Sequence, residues 1–317
     1  MTILFIYPLH TYIGGVEIAI LNVIKELYKD NKIIVGYTNT STDERMLDMY
    51  KPYAEVKKLD DAIEVDLAVY CSMWSYKGIP SIKARERWLW VHGIFNTNFN
   101  TALNHSRFDK IICVSEAVKK SMLIFYKVPN EIIHVIHNFQ DVEGIIKKSK
   151  EKKKKKKAEL NLITVARISE EKGFGRMEVM IKALKEKKVN FKWFIVGQGV
   201  NKIYEEKVKQ KLGQYKEVEF LGVQQNPYKI IRQCDYGVLL SNVESWGLFI
   251  TECKILGKPV IATDFDAAEE QVPGYGLIVP FESDYLDVVD KIKPIEIDFK
   301  WVNPIDKWVD LMEGVKK

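Results

Sequence analysis

Short apolar runs recur along the whole chain with helix-period stretches between them, and this alternation limits the possible folds severely. The runs Ile3–Tyr7, Ile33–Tyr37, Leu67–Cys71, Arg87–Val91, Lys110–Val114 and Ile132–Ile136 make a first series. A second series follows at Asn161–Val165, Phe191–Val196, Val218–Leu221, Tyr236–Leu240, Pro259–Ala262 and Gly276–Val279. Such short, largely apolar runs suit strands buried on both faces. Intervening stretches such as Val16–Tyr28 carry the helical period, so the pattern predicts parallel sheets covered by helices on both sides. At about 100–200 residues per domain, a chain of 317 residues predicts two domains. The expected architecture is α/β with two Rossmann-like domains, at 1–146 and 158–300, joined by the segment 147–157. Residues 301–317 hold the amphipathic pattern Trp308-Val309-x-Leu311-Met312, a helix of the kind that packs on a neighbour. Ligands of open α/β sheets bind beyond the carboxyl ends of the strands, and two such domains facing each other would make a cleft.

The formal charge of +5 looks at first like a nucleic-acid signal, but it is confined to one place. Residues 147–157 hold nine lysines and one glutamate, while 1–146 and 158–317 carry net charges of −1 and −2. A like-charge block of this kind predicts a solvated, poorly ordered linker. Near anionic lipid its lysines would each contribute about 1 kcal/mol, so peripheral membrane contact fits the composition as well. Lysines without interleaved aromatics or arginines, beside two slightly acidic domains, argue against a nucleic-acid partner. Cys71, Cys113, Cys234 and Cys253 are scattered and flanked by apolar residues, the pattern of reduced core thiols in a cytosolic protein. The start, Met-Thr-Ile-Leu-Phe-Ile-Tyr, runs directly into a strand with no basic region or cleavage site. No apolar run approaches the ~20 residues that span a bilayer, which leaves the cytoplasm, including the inner membrane face, as the expected location.

Glu244 and Glu252 bracket Ser-Trp-Gly-Leu-Phe-Ile-Thr directly after the run Tyr236–Leu240. Val238–Leu240 predicts a buried strand, 241–247 a polar turn and Leu248–Leu256 a helix, so the two carboxylates flank a helix N-terminus. The amides and positive dipole end between them suit a diphosphate with a polyhydroxylated group on either side, the layout of a nucleotide sugar. Acidic residues there also serve simply to offset the dipole, at about 0.3–1 kcal/mol each. Arg167 leaves the strand end Thr164-Val165-Ala166, and Lys172 follows in the same loop. A planar fork and a point charge can converge on a diphosphate and neutralise the charge that builds on a departing phosphate. Glu170 and Glu171 offer them surface ion pairs instead, worth about 0–1 kcal/mol.

Gly14 and Gly15 open the first helix, where a glycine pair lets backbone approach a phosphate. Val196-Gly197-Gln198-Gly199 and Phe220-Leu221-Gly222-Val223 end strands in glycine turns. Trp90-Val91-His92-Gly93 sets a histidine at a strand end, a place more often structural than catalytic. Thr263-Asp264-Phe265-Asp266 has the Asp-x-Asp form that suits Mg²⁺ or Mn²⁺. It comes late, after Glu252, and reads as a structural turn, so no metal is expected.

These segments resemble the retaining glycosyltransferases of the GT-B fold, family 4 in particular. The resemblance rests on Glu-x7-Glu from Glu244 to Glu252, Val-Ala-Arg-x-x-x-x-Lys-Gly from Val165 to Gly173, and Gly-Gly-Val-Glu from Gly14 to Glu17. It implies sugar transfer with retention from a nucleoside-diphosphate sugar to a glycan or lipid-linked glycan, forming an α-glycosidic bond. Arg167, Lys172, Glu244 and His92 would then be the catalytic residues, with His92 touching the transferred sugar. Gly14, Gly15, Gly197, Gly222, Val223, Trp246, Gly247, Leu248, Phe249 and Glu252 would bind the donor. Within that set Glu244 holds the sugar, Glu252 the ribose, and Gly222 and Val223 border the base, with no cofactor beyond the donor. Ser115 matches a frequent family serine and Glu270 the glutamate after the late turn, while His137-Asn138 replaces Pro-Asn-Gly and Ala267-Ala268 departs from the usual turn. In similar enzymes the last helix crosses back to the N-terminal domain. The alternative is a catalytically inactive accessory subunit of another glycosyltransferase, against which the intact phosphate and sugar residues count.

Overall fold

β-Branched and aromatic side chains fill the apolar runs, and they pack best on a pleated surface covered on both faces. The computed structural model describes residues 1–7, 14–37, 44–71, 79–94, 103–150 and 158–316. Its two compact units are Met1–Gln140 with Val302–Lys317, and Asp141–Trp301. The first unit contains β1 (Thr2–Ile6), β2 (Lys32–Tyr37), β3 (Glu55–Lys58), β4 (Ile63–Tyr70), β5 (Ile82–Val91), β6 (Lys110–Cys113) and β7 (Ile133–Val135). They form one sheet in the order β3-β2-β1-β4-β5-β6-β7, with every pairing parallel. The second unit contains β8 (Leu160–Val165), β9 (Phe191–Val196), β10 (Val218–Gly222), β11 (Tyr236–Leu239), β12 (Val260–Thr263) and β13 (Gly276–Val279). These are parallel too, in the order β10-β9-β8-β11-β12-β13.

The helices are α1 (Gly15–Leu27), α2 (Glu44–Tyr50) and α3 (Glu116–Phe125) in the first unit, then α4 (Val142–Ser149), α5 (Phe174–Glu186), α6 (Lys202–Gly213), α7 (Tyr228–Gln233), α8 (Leu248–Ile255), α9 (Ala268–Gln271) and α10 (Leu286–Lys291) in the second, and finally α11 (Ile305–Lys316), which belongs to the first. Among the described residues no helix is long and apolar enough to cross a membrane. All four cysteines are buried, and none is in a disulfide.

Three features differ from the pattern of apolar runs. β3, Glu-Val-Lys-Lys, has no apolar run because it is a half-exposed edge strand. β4 and β5 start several residues before their apolar halves, since their first halves are only partly covered. The helix α4 occupies residues that straddle the expected boundary at 146 and the expected linker from 147. Asp141 caps it by accepting the Gly144 N–H at 2.9 Å, Ile145 is buried, and Arg232 donates to the Ser149 hydroxyl at 3.0 Å. Lys147 and Lys148 form its last turn, where cations meet the negative dipole end, so this part of the lysine block is helix rather than linker. Residues 151–157 lie outside the described residues.

In the second unit Thr164 donates to the Val238 carbonyl at 2.8 Å and accepts from the Trp193 indole at 3.1 Å, tying β8, β9 and β11 inside the core. Gly237 has no room for a side chain, because a Cβ there would lie 2.4 Å from Cys253 Sγ. The helix α8 can therefore lie close on β11.

The first unit is completed from the far end of the sequence. Ile305, Trp308, Met312 and Val315 share one buried face of α11. The Trp308 ring packs 5.8 Å from that of Trp88 and 4.8 Å from that of Trp90. Trp308→Ala should destabilise the first unit by about 3–5 kcal/mol through the cavity it leaves, measurable as a lowered midpoint in urea.

Candidate functional site

Both sheets contain a point where strand order reverses. In the second unit the chain runs outward from β8 to β9 and β10, then returns to β11 on the other side of β8. A crevice opens at the carboxyl edge at such a point, between the loops that leave the two central strands. The loop after β8 forms a 3₁₀ turn, Glu170–Lys172, closed by Gly173 at φ 66°. A side chain at Gly173 would strike the Leu240 carbonyl, 1.7 Å from its Cβ, so only glycine lets this loop reach the end of β11. There Lys172 Nζ meets Glu244 Oε1 at 2.7 Å, with the two side chains only 15% and 13% exposed. The Ser241 hydroxyl donates to the same oxygen at 2.8 Å. Loss of either partner would leave a mostly buried charge uncompensated.

Arg176 holds these two loops together, and nothing in the sequence singled it out. Its guanidinium donates to the Leu240 carbonyl at 3.3 Å, to Asn242 Oδ1 at 2.5 Å and to the Phe281 carbonyl at 3.1 Å. Asn242 in turn donates its amide to the Glu171 carbonyl at 2.7 Å and its side chain to the Glu170 carbonyl at 3.1 Å. An arginine one turn into α5 is ordinary in sequence; its role appears only once β11 is beside β8.

Arg167 and Lys172, expected to share a diphosphate, take separate carboxylates. Arg167 pairs with Glu171 at 2.7 Å, both about 40% exposed, while Lys172 takes Glu244. The surface pair is weak enough for an anion to displace.

Glu252 lies one turn into α8. Burial pushes its carboxyl up to about 7, against a weaker pull from the Tyr228 hydroxyl, which donates to it at 3.4 Å. Of the amides expected at the start of α8, that of Gly247 is already taken: it donates to Gln271 Oε1 at 2.9 Å. The Leu248 and Phe249 amides have no acceptor among the described residues. The Phe249 side chain is core, and Trp246 is half-buried.

The glycine turns prove tight for backbone reasons. Gly197 has φ 136°, and a Cβ there would lie 1.9 Å from the Ala166 carbonyl; its amide donates to the Gly222 carbonyl at 2.9 Å. The ends of β8, β9 and β10 are stitched together in this way. Gly222 sits at φ 65° with open space around it, and Val223 beside it is 62% exposed. Asp264 and Asp266 are exposed on either side of buried Phe265, and no group of His, Cys, Asp or Glu among the described residues is arranged to hold a metal.

In the first unit the reversal lies between β1 and β4. Gly14 and Gly15 start α1 there, and residues 8–13 before them are outside the described set. Glu17 is buried, accepting the Gly14 amide at 2.8 Å and the Tyr7 hydroxyl at 2.9 Å. The Gly14 amide is thus engaged rather than held for a phosphate. His92 follows β5 with its ring 4.3 Å from that of Trp90, and burial lowers its pKa to about 3. A neutral imidazole of this kind can hold a hydrogen bond but does not exchange protons near pH 7. Ser115 is a cap, its hydroxyl accepting the Val118 amide at 3.1 Å at the start of α3.

Residues 145–299, nearly all of the second unit, match the family model of the glycosyl transferases group 1. The second unit is a group 1 glycosyl transferase domain. A curated relative from Campylobacter jejuni, N-acetylgalactosamine-N,N'-diacetylbacillosaminyl-diphospho-undecaprenol 4-alpha-N-acetylgalactosaminyltransferase, is 23% identical over 197 residues, 59% of this chain and 53% of that protein. The chain thus spans about half the length of that relative. Among solved structures, Anabaena HepE in complex with UDP superposes with a TM-score of 0.70 at 17% identity, over 92% of this chain and 89% of that one. The lipopolysaccharide outer core galactosyltransferase WaaB superposes with a TM-score of 0.68 at 17% identity, over 99% of both chains. The fold of the whole chain is that of the GT-B glycosyltransferases.

Glu252 gives the group 1 domain a pH signature. The folded chain holds this proton more tightly than the unfolded chain, whose glutamate ionises near 4.5. Its contribution should make stability fall as pH rises from about 4.5 to about 7, and level off above. Glu252→Gln should remove that fall when urea midpoints are compared with the parent across this range.

Proposed function

We propose that this protein is a retaining glycosyltransferase that moves a sugar from a nucleoside-diphosphate sugar to a glycan or lipid-linked glycan, forming an α-glycosidic bond. The observation that carries the reading is the Lys172–Glu244 pair at the strand-order reversal, beside the start of α8. Lys172 supplies fixed positive charge where a diphosphate would lie, and the Leu248 and Phe249 amides add helix-end donors. Glu244 then accepts from hydroxyls of the donor sugar, and Glu252 from the ribose diol. Gly222 and Val223 border the base at the open end of β10. Arg167, released from its surface pair with Glu171, joins Lys172 on the phosphate. In the first unit His92 is a neutral hydrogen-bonding group suited to a sugar hydroxyl, and Gly15 opens α1 with its backbone uncovered by a side chain.

The reaction is a displacement on one face of the sugar. The bond from the anomeric carbon to the phosphate oxygen breaks, with its electron pair passing to the phosphate that Lys172 and Arg167 neutralise. The acceptor oxygen bonds the same carbon from the same side and gives its proton to that phosphate oxygen. Both candidate carboxylates are committed elsewhere in this scheme, Glu244 to Lys172 and the sugar, Glu252 to the ribose. With this cationic set on the leaving group, turnover needs no divalent metal. The name of the Campylobacter jejuni relative describes an acceptor on diphospho-undecaprenol. A lipid-linked acceptor also suits the lysine block at 147–157, which would draw the protein to the anionic inner membrane face.

Incubation of the purified protein with a panel of nucleotide sugars should give donor hydrolysis or transfer that persists in excess chelator. Lys172→Ala and Glu244→Ala should each lower it by about 10²-fold or more. NMR of the first-formed product should show the donor's anomeric configuration. A folded protein that turns over no donor would instead identify an accessory subunit.

A further inference from the structure

The first turn of α8 is held by a residue outside the matched motifs. Gln271, at the end of α9 and 1% exposed, accepts the Gly247 amide through Oε1 at 2.9 Å. Through Nε2 it donates to the Gly247 carbonyl at 3.4 Å and to the Thr251 hydroxyl at 3.3 Å. Its own carbonyl accepts from Lys254 Nζ at 3.0 Å. That ammonium is buried between the rings of Tyr275, at 4.6 Å, and Phe299, at 4.8 Å. Gln271 is therefore fixed at both ends, and it fixes the turn from which the Leu248 and Phe249 amides emerge.

This clamp differs from the other caps in where it comes from. Early amides at α1 and α4 are taken by nearby carboxylates, Glu17 at Gly14 and Asp141 at Gly144, and those at α3 and α6 by nearby neutral groups, the Ser115 hydroxyl and the Asn201 side-chain amide oxygen. A carboxylate in such a place also stabilises the helix by opposing its dipole. At α8 a neutral amide does the capping, brought from a separate element. A glutamate of the same length could still accept the Gly247 amide, but it would lose the donation to the Gly247 carbonyl and, when ionised, would cancel the positive potential at the helix start.

We propose that Gln271 is a positioning residue of the nucleotide-sugar site, which sets the first turn of α8 while leaving that turn's positive field to the donor diphosphate. This rests on the donor-site reading above. Gln271 touches neither donor nor acceptor in this scheme; it acts through Gly247 and Thr251.

Two variants separate this role from a purely structural one, because only a field effect parts affinity from stability. Gln271→Glu keeps the acceptor for the Gly247 amide, loses the donation to the Gly247 carbonyl and adds a charge at the helix start, whereas Gln271→Met removes every side-chain hydrogen bond and adds no charge. If Gln271 serves stability alone, affinity for nucleoside diphosphates follows the thermal midpoint across the parent and both variants. If the field matters, the glutamate variant binds more weakly than its midpoint accounts for and more weakly than the methionine variant, losing about tenfold or more in affinity. Calorimetric titration of the parent and both variants with UDP, GDP, ADP and dTDP, beside thermal unfolding, reads both quantities. Affinity that tracks stability, or two variants that bind like the parent, overturns the proposal. If the parent binds none of these and Glu244→Ala changes no activity, the donor-site reading itself falls.

Discussion

In a parallel sheet every strand releases the chain at the same edge, so loops far apart in sequence are delivered to one line in space. Where strand order reverses, two of those loops diverge and leave a crevice. In the second unit this places residues 72 positions apart in contact, Lys172 from the loop after β8 and Glu244 from the loop after β11. Everything else at the site refines that meeting. Gly173 removes the side chain that would keep the loops apart, Arg176 ties them by hydrogen bonds, and Gly237 lets α8 lie close on β11.

Electrostatically the site is a matched pair beside a partial charge. Lys172 and Glu244 neutralise each other, so neither of these mostly buried charges stands uncompensated. A ligand bearing both an anion and hydroxyls can use each member at once, the anion on the ammonium and a hydroxyl on the carboxylate. A simple phosphate would break the pair and leave Glu244 without its cation. On the proposed donor reading, a sugar and phosphate presented together would occupy both members of the pair at once.

Most strands of both sheets were legible because fully covered strands demand near-continuous apolar runs, and the Glu-x7-Glu segment was legible because its strand, turn and helix are consecutive in sequence. β3 was not, since an edge strand of Glu-Val-Lys-Lys needs no apolar character. Gln271 and Arg176 stayed hidden for another reason: both act through tertiary hydrogen bonds to residues 17 or more positions away. Periodicity carries no trace of such bonds. The lysine block misled for a third reason, because composition alone does not reveal that its first residues end a capped helix with Ile145 buried in the second unit. The glycines at 14 and 197 were found, yet their backbone turns out to be occupied, by Glu17 and by the Gly222 carbonyl.

The docking of α11 on Trp88 and Trp90 makes the first unit discontinuous, with the entire second unit inserted between its parts. About 220 residues separate Trp88 from Trp308. At a synthesis rate of about 5–20 residues per second, the two indoles leave the ribosome roughly 10–45 s before the ring that covers them. The second unit is uninterrupted and can close its core in that interval. The order of completion is thus the reverse of the order of synthesis, and the first unit's indole-bearing face has to stay soluble until the last helix is made.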